Sequence, residues 1–287
     1  MKQLKLFVSF VMAFFFMVVP MCGTTNAATK NMYVHFINVG QGDSIYIKAP
    51  NGEDILIDGG NKDGSDVVAY LKKQKVKDIE FMIATHPDAD HIGGLDEVLK
   101  AFPVKNVYAP KVSHTSQAYK DFLTAVKNKK LTIKTAKADV TLPIKGVTAK
   151  FVGPVKSYSK SELNDWSAVL KITYGKKSFL FTGDAEAKAE ADMVKAKKDL
   201  RADVLKVGHH GAKTSTSTTL LKAVKPTYAV ISVGKNNSYG HPTSEVLNRL
   251  KSYKVNIFRT DKQGTIIATT NGTTLTFNVK PLKWLNE

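Results

Sequence analysis

Residues 86–91 read His-Pro-Asp-Ala-Asp-His, placing His86, Asp88, Asp90 and His91 within six positions. Imidazole nitrogens and carboxylate oxygens crowded together form a ligand set suited to a divalent ion such as zinc, manganese or iron. The cluster follows the apolar run Phe81-Met82-Ile83-Ala84 and precedes Gly93-Gly94, where a buried strand gives way to a loop and then a helix. Side chains at a strand end can converge on one point without entering the core. An aspartate helix cap accounts for Asp90 by itself. It does not account for two histidines and a second aspartate beside it.

Other polar groups close other apolar runs. Asp58 ends Leu56-Ile57, Asp184 follows Phe179-Leu180-Phe181-Thr182-Gly183, and His209-His210 follow Val204-Leu205-Lys206-Val207-Gly208. His241 lies in Tyr239-Gly240-His241-Pro242, beyond the run at 228–234. Taken singly, Asp184 reads as a helix cap and His241 as a loop histidine. Several apolar strands ending in Asp or His point instead to one shared site.

The elements needed to position these groups are legible as periodicity. Strands are expected at 33–38, 44–49 and 54–58, the last two joined by the Pro50-Asn51-Gly52 turn, so a β-meander opens the domain. Alternation follows: helix 66–73, strand 81–85, helix 94–101, strand 106–109 and helix 116–128. A strand-rich stretch at 132–151 leads to a hairpin of 169–174 and 178–182. The second half expects helices at 186–197, 216–224 and 244–252, with strands at 203–207, 228–232, 256–259, 265–270 and 273–279. Strands alternating with helices in both halves predict an α/β protein of two packed sheets with helices outside.

The first residues carry Lys2 and Lys5, then roughly 15 apolar residues, then small residues ending at Ala27-Ala28. This predicts a signal peptide over 1–27 and a secreted domain over 28–287. A lipoprotein acylated at Cys22 or an uncleaved anchor are the alternatives, and Met21 argues against the lipoprotein because a small residue normally precedes the acylated Cys. No second stretch of spanning length follows. Cleavage near Ala27 removes the one Cys, leaving no thiolate for a disulfide or a metal. The formal charge is +17, and loss of Lys2 and Lys5 with the leader makes it +15. An exported chain this basic is drawn to polyanions, among them extracellular nucleic acid, anionic lipid and wall polymers. Oligomeric state is not legible.

Seven strings in order, INVGQGDS, LIDGG, THPDADHIGGL, SFLFTGDAE, DVLKVGHHGAKTSTS, YAVISVG and YGHP, resemble the metallo-β-lactamase superfamily, and within it the soluble hydrolase domain of the ComEC family of bacterial DNA-uptake channels. The similarity spans about residues 32–270. It implies a four-layer αββα sandwich holding one or two divalent ions, zinc or manganese. By that resemblance His86 and Asp88 serve one ion, Asp90 and His91 the other, with Asp184 between them. His209 is the further ligand it favours, with His210 as ligand or phosphate contact and His241 as ligand or proton donor. Asp90, His210 and His241 carry the catalytic roles. Asp58 supports a ligand histidine, Asp43 lies near the site, and Asn164 and Ser167 are available to a phosphate.

Two positions depart from the superfamily pattern His-x-His-x-Asp-His. Asp88 replaces its second His, and Asn164-Asp165-Trp166-Ser167 stands where a further metal histidine is often found. Oxygen ligands in place of imidazole shift preference from zinc toward manganese. The resemblance implies a phosphodiesterase or nuclease acting on DNA, with Tyr158, Trp166 and Tyr239 available to stack on bases. A hydrolase of wall-polymer or lipid phosphodiesters, of a lactone or of a β-lactam is an alternative, as is a polyanion-binding module without turnover.

Overall fold

The computed structural model describes residues 30–62 and 65–284. The expected leader, with Cys22, lies outside the described residues. Strands β1 (Met32–Phe36), β2 (Ile45–Lys48) and β3 (Asp54–Ile57) form the antiparallel meander expected from the sequence. Helix α1 (Ser65–Lys73) then crosses over to β4 (Ile79–Ile83), which pairs parallel with β3. The one-turn α2 (Ala89–Ile92) and α3 (Leu95–Ala101) lead to β5 (Val104–Ala109), and α4 (Gln117–Asn128) leads to β6 (Ile133–Thr135).

The second sheet begins with β7 (Thr141–Leu142) and β8 (Thr148–Gly153). A 3₁₀ turn, Leu163–Trp166, precedes the hairpin of β9 (Val169–Tyr174) and β10 (Lys177–Phe181). Next come α5 (Ala187–Lys195), β11 (Val204–Lys206), α6 (Thr218–Val224), β12 (Tyr228–Ile231), α7 (Ser244–Ser252) and β13 (Asn256–Arg259). After α8 (Thr260–Gln263), β14 (Ile266–Thr270) and β15 (Leu275–Phe277) return to the first sheet. The strand orders are 15-14-1-2-3-4-5-6 and 13-12-11-10-9-8-7.

The pleat explains why the strands are apolar on both faces. Phe81 and Ile83 of β4 meet Phe179 and Phe181 of β10 in the core between the sheets. The alternate residue Met82 packs under α1, α3 and α4, and Leu180 packs under α5, α6 and α7. The result is the expected αββα sandwich. Deleting one interior ring, as in Phe181→Ala, would cost about 3–5 kcal/mol. Helices start where their caps stand: Ser116 Oγ accepts from Tyr119 N, and Ser217 Oγ accepts from Leu220 N.

The stretch 132–151 divides between the two sheets, which its local pattern does not reveal. Asp88, not Asp90, occupies the N-cap position of α2, and its side chain makes no capping bond. Parallel pairing of β3 with β4 and of β10, β11 and β12 brings their carboxyl ends to one rim of the sandwich. That rim is where α/β proteins gather ligand groups. Among the described residues no helix is long and apolar enough to cross a membrane.

Candidate metal centre

Each strand end at this rim delivers part of a cluster. After β3, Asp58 adopts a left-handed backbone (φ 58°), which aspartate tolerates better than most residues. Its carboxylate accepts from Thr85 N at 2.8 Å, Thr85 Oγ1 at 2.6 Å and His91 Nδ1 at 2.8 Å. Locked in this way, His91 turns Nε2 to within 3.2 Å of Asp184 Oδ1 and 3.3 Å of His210 Nε2. His86 lies beside it, with ring centroids 4.2 Å apart and Nδ1 3.1 Å from Thr85 Oγ1. His86 Nε2 faces Asp88 Oδ2 at 3.5 Å.

The second sheet supplies the other half. Asp184 follows β10, its N–H donating to Ser167 Oγ at 3.0 Å. His209 and His210 follow β11 in a 3₁₀ turn, and both have left-handed backbones, φ 46° and 51°. This conformation sends the two rings apart. His210 is buried, donates from Nδ1 to Ser232 O at 3.0 Å, and places Nε2 3.1 Å from Asp90 Oδ2 and 3.4 Å from Asp184 Oδ2. His209 is turned toward Glu186, with Nδ1 on Oε1 at 3.0 Å and Nε2 3.8 Å from Asp184 Oδ2.

Two sets of ligand atoms result, His86–His91–Asp184 and Asp90–His91–His210, sharing His91. A third grouping, Asp43–Asp58–His91, sits behind them. His86 Nε2 and Asp184 Oδ1 are buried without a hydrogen-bond partner, which native interiors seldom tolerate. The Nε2 atoms of His91 and His210 face each other at 3.3 Å while both Nδ1 atoms are bonded elsewhere, so one Nε2 must accept from the other, and a proton on both would set two N–H groups against each other. Divalent ions fit this donor set: they would complete the orphaned nitrogen and oxygen and separate the opposed imidazoles.

The electrostatics agree. Burial opposes charge on His91, yet Asp184, Asp58 and Asp90 outweigh it and raise its pKa well above the ordinary value. His210 is raised in the same way, burial being overcome by Asp184, Asp43 and Asp90. Burial alone would push Asp184 up, but His210 and His91 hold it well below the usual carboxylate range. Asp90 and Asp88 are likewise lowered against burial, by His91 and His210 and by His86 respectively. The pocket is built around positive charge, and metal uptake would release protons from it.

Behind His210 stands a group the sequence reading missed. Lys206 is fully buried between the sheets, with Nζ 2.7 Å from Asp43 Oδ2 and 2.8 Å from Val207 O. Asp43 Oδ1 in turn lies 3.4 Å from His210 Nδ1. The signal was a Lys at the inward position of an otherwise apolar strand. Glu186 and Thr85 were also missed, and nothing in their local pattern marks them.

The remaining candidates divide clearly. Ser167 is buried against Asp184 and lies 3.5 Å from His86 Nδ1, so it supports those two and does not face a phosphate. Asn164 Nδ2 donates to Glu186 Oε1 at 3.2 Å. His241 packs edge-on to His209, ring centroids 5.5 Å apart, and its pKa is lowered by burial, then by His209 and His210. Trp166 and Tyr158 are buried against each other, with Trp166 Nε1 bonded to Ser159 O, and are not available for stacking. Tyr239 is 68% exposed. A groove of about 540 Å³ opens beside the ligands, lined by Asp88, Glu162, Asp165, Glu186, Asn164 and Lys188. Its balance of charge is acidic.

Comparison with known proteins places this architecture. Residues 37–235 match the family model of the metallo-beta-lactamase superfamily. ComE operon protein 3 of Bacillus subtilis is 33% identical over 266 residues, 86% of this chain and 34% of that protein. Recombination protein 2 of Haemophilus influenzae is 34% identical over 239 residues, 81% of this chain and 28% of that protein. The chain thus spans about a third of the length of these curated relatives. Among solved structures, the metallo-beta-lactamase fold protein YhfI from Bacillus subtilis superposes with a TM-score of 0.55 at 12% identity, covering 87% of this chain and all of that one. The family match, the competence relatives and the shared fold converge on one conclusion: the chain belongs to the metallo-beta-lactamase superfamily, as a metal-dependent hydrolase related to competence proteins.

Proposed function

We propose that this chain is an exported phosphodiesterase that cuts DNA with one or two divalent ions. The observation that carries the reading is the pair of ligand sets sharing His91, with His86 Nε2 and Asp184 Oδ1 orphaned in a buried rim. Bound there, divalent ions supply Lewis acidity toward a phosphoryl oxygen and a low-pKa water. His86 and Asp184, with Asp88 beside them, would hold one ion and Asp90 and His210 the other, with His91 shared between the two sets, and the acidic share of the first set favours manganese over zinc. Asp58 and Thr85 fix the tautomer and direction of His91, a support typical of ligand histidines. Asp90, a third exposed at its carboxylate, orients the attacking water. His209, held by Glu186 and partly open, is placed to hydrogen-bond the scissile phosphate, and His241 closes the same side.

DNA as substrate is supported by the competence relatives and by the charge, +17 for the whole chain and +15 without Lys2 and Lys5 of the leader, which favours a polyanionic backbone. The test uses purified protein, chelated and then reloaded with manganese or zinc. It is offered single-stranded DNA, duplex DNA, bis-p-nitrophenyl phosphate and a β-lactam, beside Asp90→Ala. Metal-dependent phosphodiester cleavage lost in the variant supports the reading. Metal-independent cleavage, or an unaffected variant, refutes it, and tight DNA binding without turnover promotes a binding module.

A further inference from the structure

We propose that Tyr239 is a stacking platform for the nucleobase next to the scissile phosphate. This deepens the DNA-cleaving reading and rests on it for the identity of the ligand. Of the described large hydrophobic side chains, Tyr239 is the most exposed, at 68%. It is linked to the metal centre through two successive ring contacts. Its ring stacks on His241 at 5.7 Å and 24°, and His241 in turn packs against His209, whose Nε2 is 3.8 Å from Asp184. One face of the tyrosine is covered by His241 and the other is left to solvent.

The loop that displays it is tied down along its length. Asn237 Oδ1 accepts from Tyr239 N at 3.2 Å and His241 N at 3.0 Å, and Asn237 Nδ2 donates to Gly234 O at 3.0 Å and His241 O at 2.7 Å. Gly234 N donates to Gln41 Oε1 at 3.1 Å, and Thr243 N to Gly211 O at 3.0 Å. The Gly234 contact fastens the loop to the first sheet, and the Gly211 contact fastens it to the His209-His210 turn. An aromatic ring held this firmly in water loses little freedom when a second ring lies on it. A flat π-face accepts any base, so the platform gives affinity without sequence preference.

Charge selects the occupant and the side it lies on. The groove on the Asp88 side is lined by Glu162, Asp165 and Glu186 and repels a phosphate backbone. The Tyr239 side carries the rings of His209 and His241, and the carboxylate bonded to that stack, Glu186, is paired with His209 Nδ1 at 3.0 Å. A strand threaded past the ions is therefore driven toward Tyr239, with one base over the ring.

Two measurements test this. Oligodeoxynucleotides carrying 2-aminopurine are titrated into chelated protein, where fluorescence reports stacking with no turnover. Wild type and Tyr239→Phe should quench the probe, whereas Tyr239→Ala should bind about tenfold more weakly with the quench lost. In reloaded protein the preference for an intact oligonucleotide over one with an abasic site should fall about tenfold in Tyr239→Ala and survive in Tyr239→Phe. Equal affinity and quenching in wild type and Tyr239→Ala overturn the platform and leave the hydrolase reading standing. A wild-type protein that cleaves neither oligonucleotide removes the hydrolase reading, and the binding comparison still decides the platform.

Discussion

The two sheets build their halves of the metal centre by different means. On the first sheet, His86, Asp88, Asp90 and His91 lie in or beside one short helix of ordinary backbone, and the strained residue is Asp58, one step behind. On the second sheet the strain sits in His209 and His210 themselves. A left-handed residue costs of order 1–3 kcal/mol and persists only where its surroundings over-determine it. The first half is thus aimed by side-chain hydrogen bonds, and the second by backbone shape. The Lys206–Asp43 pair joins the two, a cation from β11 meeting a carboxylate from the β1–β2 loop.

The largest expected effect comes from cutting that tie. Lys206→Met leaves Asp43 charged and buried without its lysine partner, with only His210 Nδ1 beside it at 3.4 Å, and should cost about 3–5 kcal/mol in chemical denaturation. Replacing Asp43 as well should recover most of the loss; a double variant no better than the single would show that the pair is not the tie. Next in size is the contrast between neighbours on the second sheet. His210→Ala should weaken metal binding by more than about 100-fold in calorimetric titration, above the range for groups one step removed. His209→Ala should stay below about tenfold, and the reverse order would exchange the two roles.

Asp58→Asn tests the first half. It unlocks His91 while sparing every ligand, and should lower metal affinity by about 10- to 100-fold with little change in secondary structure by circular dichroism. Glu186→Gln is the matching change behind His209 and should move metal affinity less than about tenfold while lowering turnover. If both supporting variants lose metal equally, the halves are held alike after all.

The contrast also explains what could be read without coordinates. His86, Asp88, Asp90 and His91 are contiguous, so their convergence follows from a strand end and one helical turn. The αββα layering is legible because β4 and β10 each end in an uninterrupted apolar run, Phe81-Met82-Ile83 and Phe179-Leu180-Phe181, as strands covered on both faces must. The resemblance favours His209 as the further ligand, whereas it is His210 whose ring lies against His91 and Asp90; two residues adjacent in sequence are sent apart only by the left-handed turn they form, which the sequence does not display. Tyr158 and Trp166 looked like Tyr239 in sequence, since flanking a motif says nothing about which ring the hairpin of β9 and β10 buries. Lys206 was visible as a cation in an apolar strand, but its partner lies on the other sheet.

The return of β14 to the first sheet has a consequence for how the chain is made. Val34 pairs with Ile47 on one side and Ala268 on the other. During synthesis from the amino end, β1 can form its meander early, yet its second edge stays open until residues 266–270 appear. Non-local pairing of this kind is slow to close. The domain therefore keeps an exposed strand edge until residues 266–270 have been made, a window in which a chaperone can engage it before the sandwich shuts.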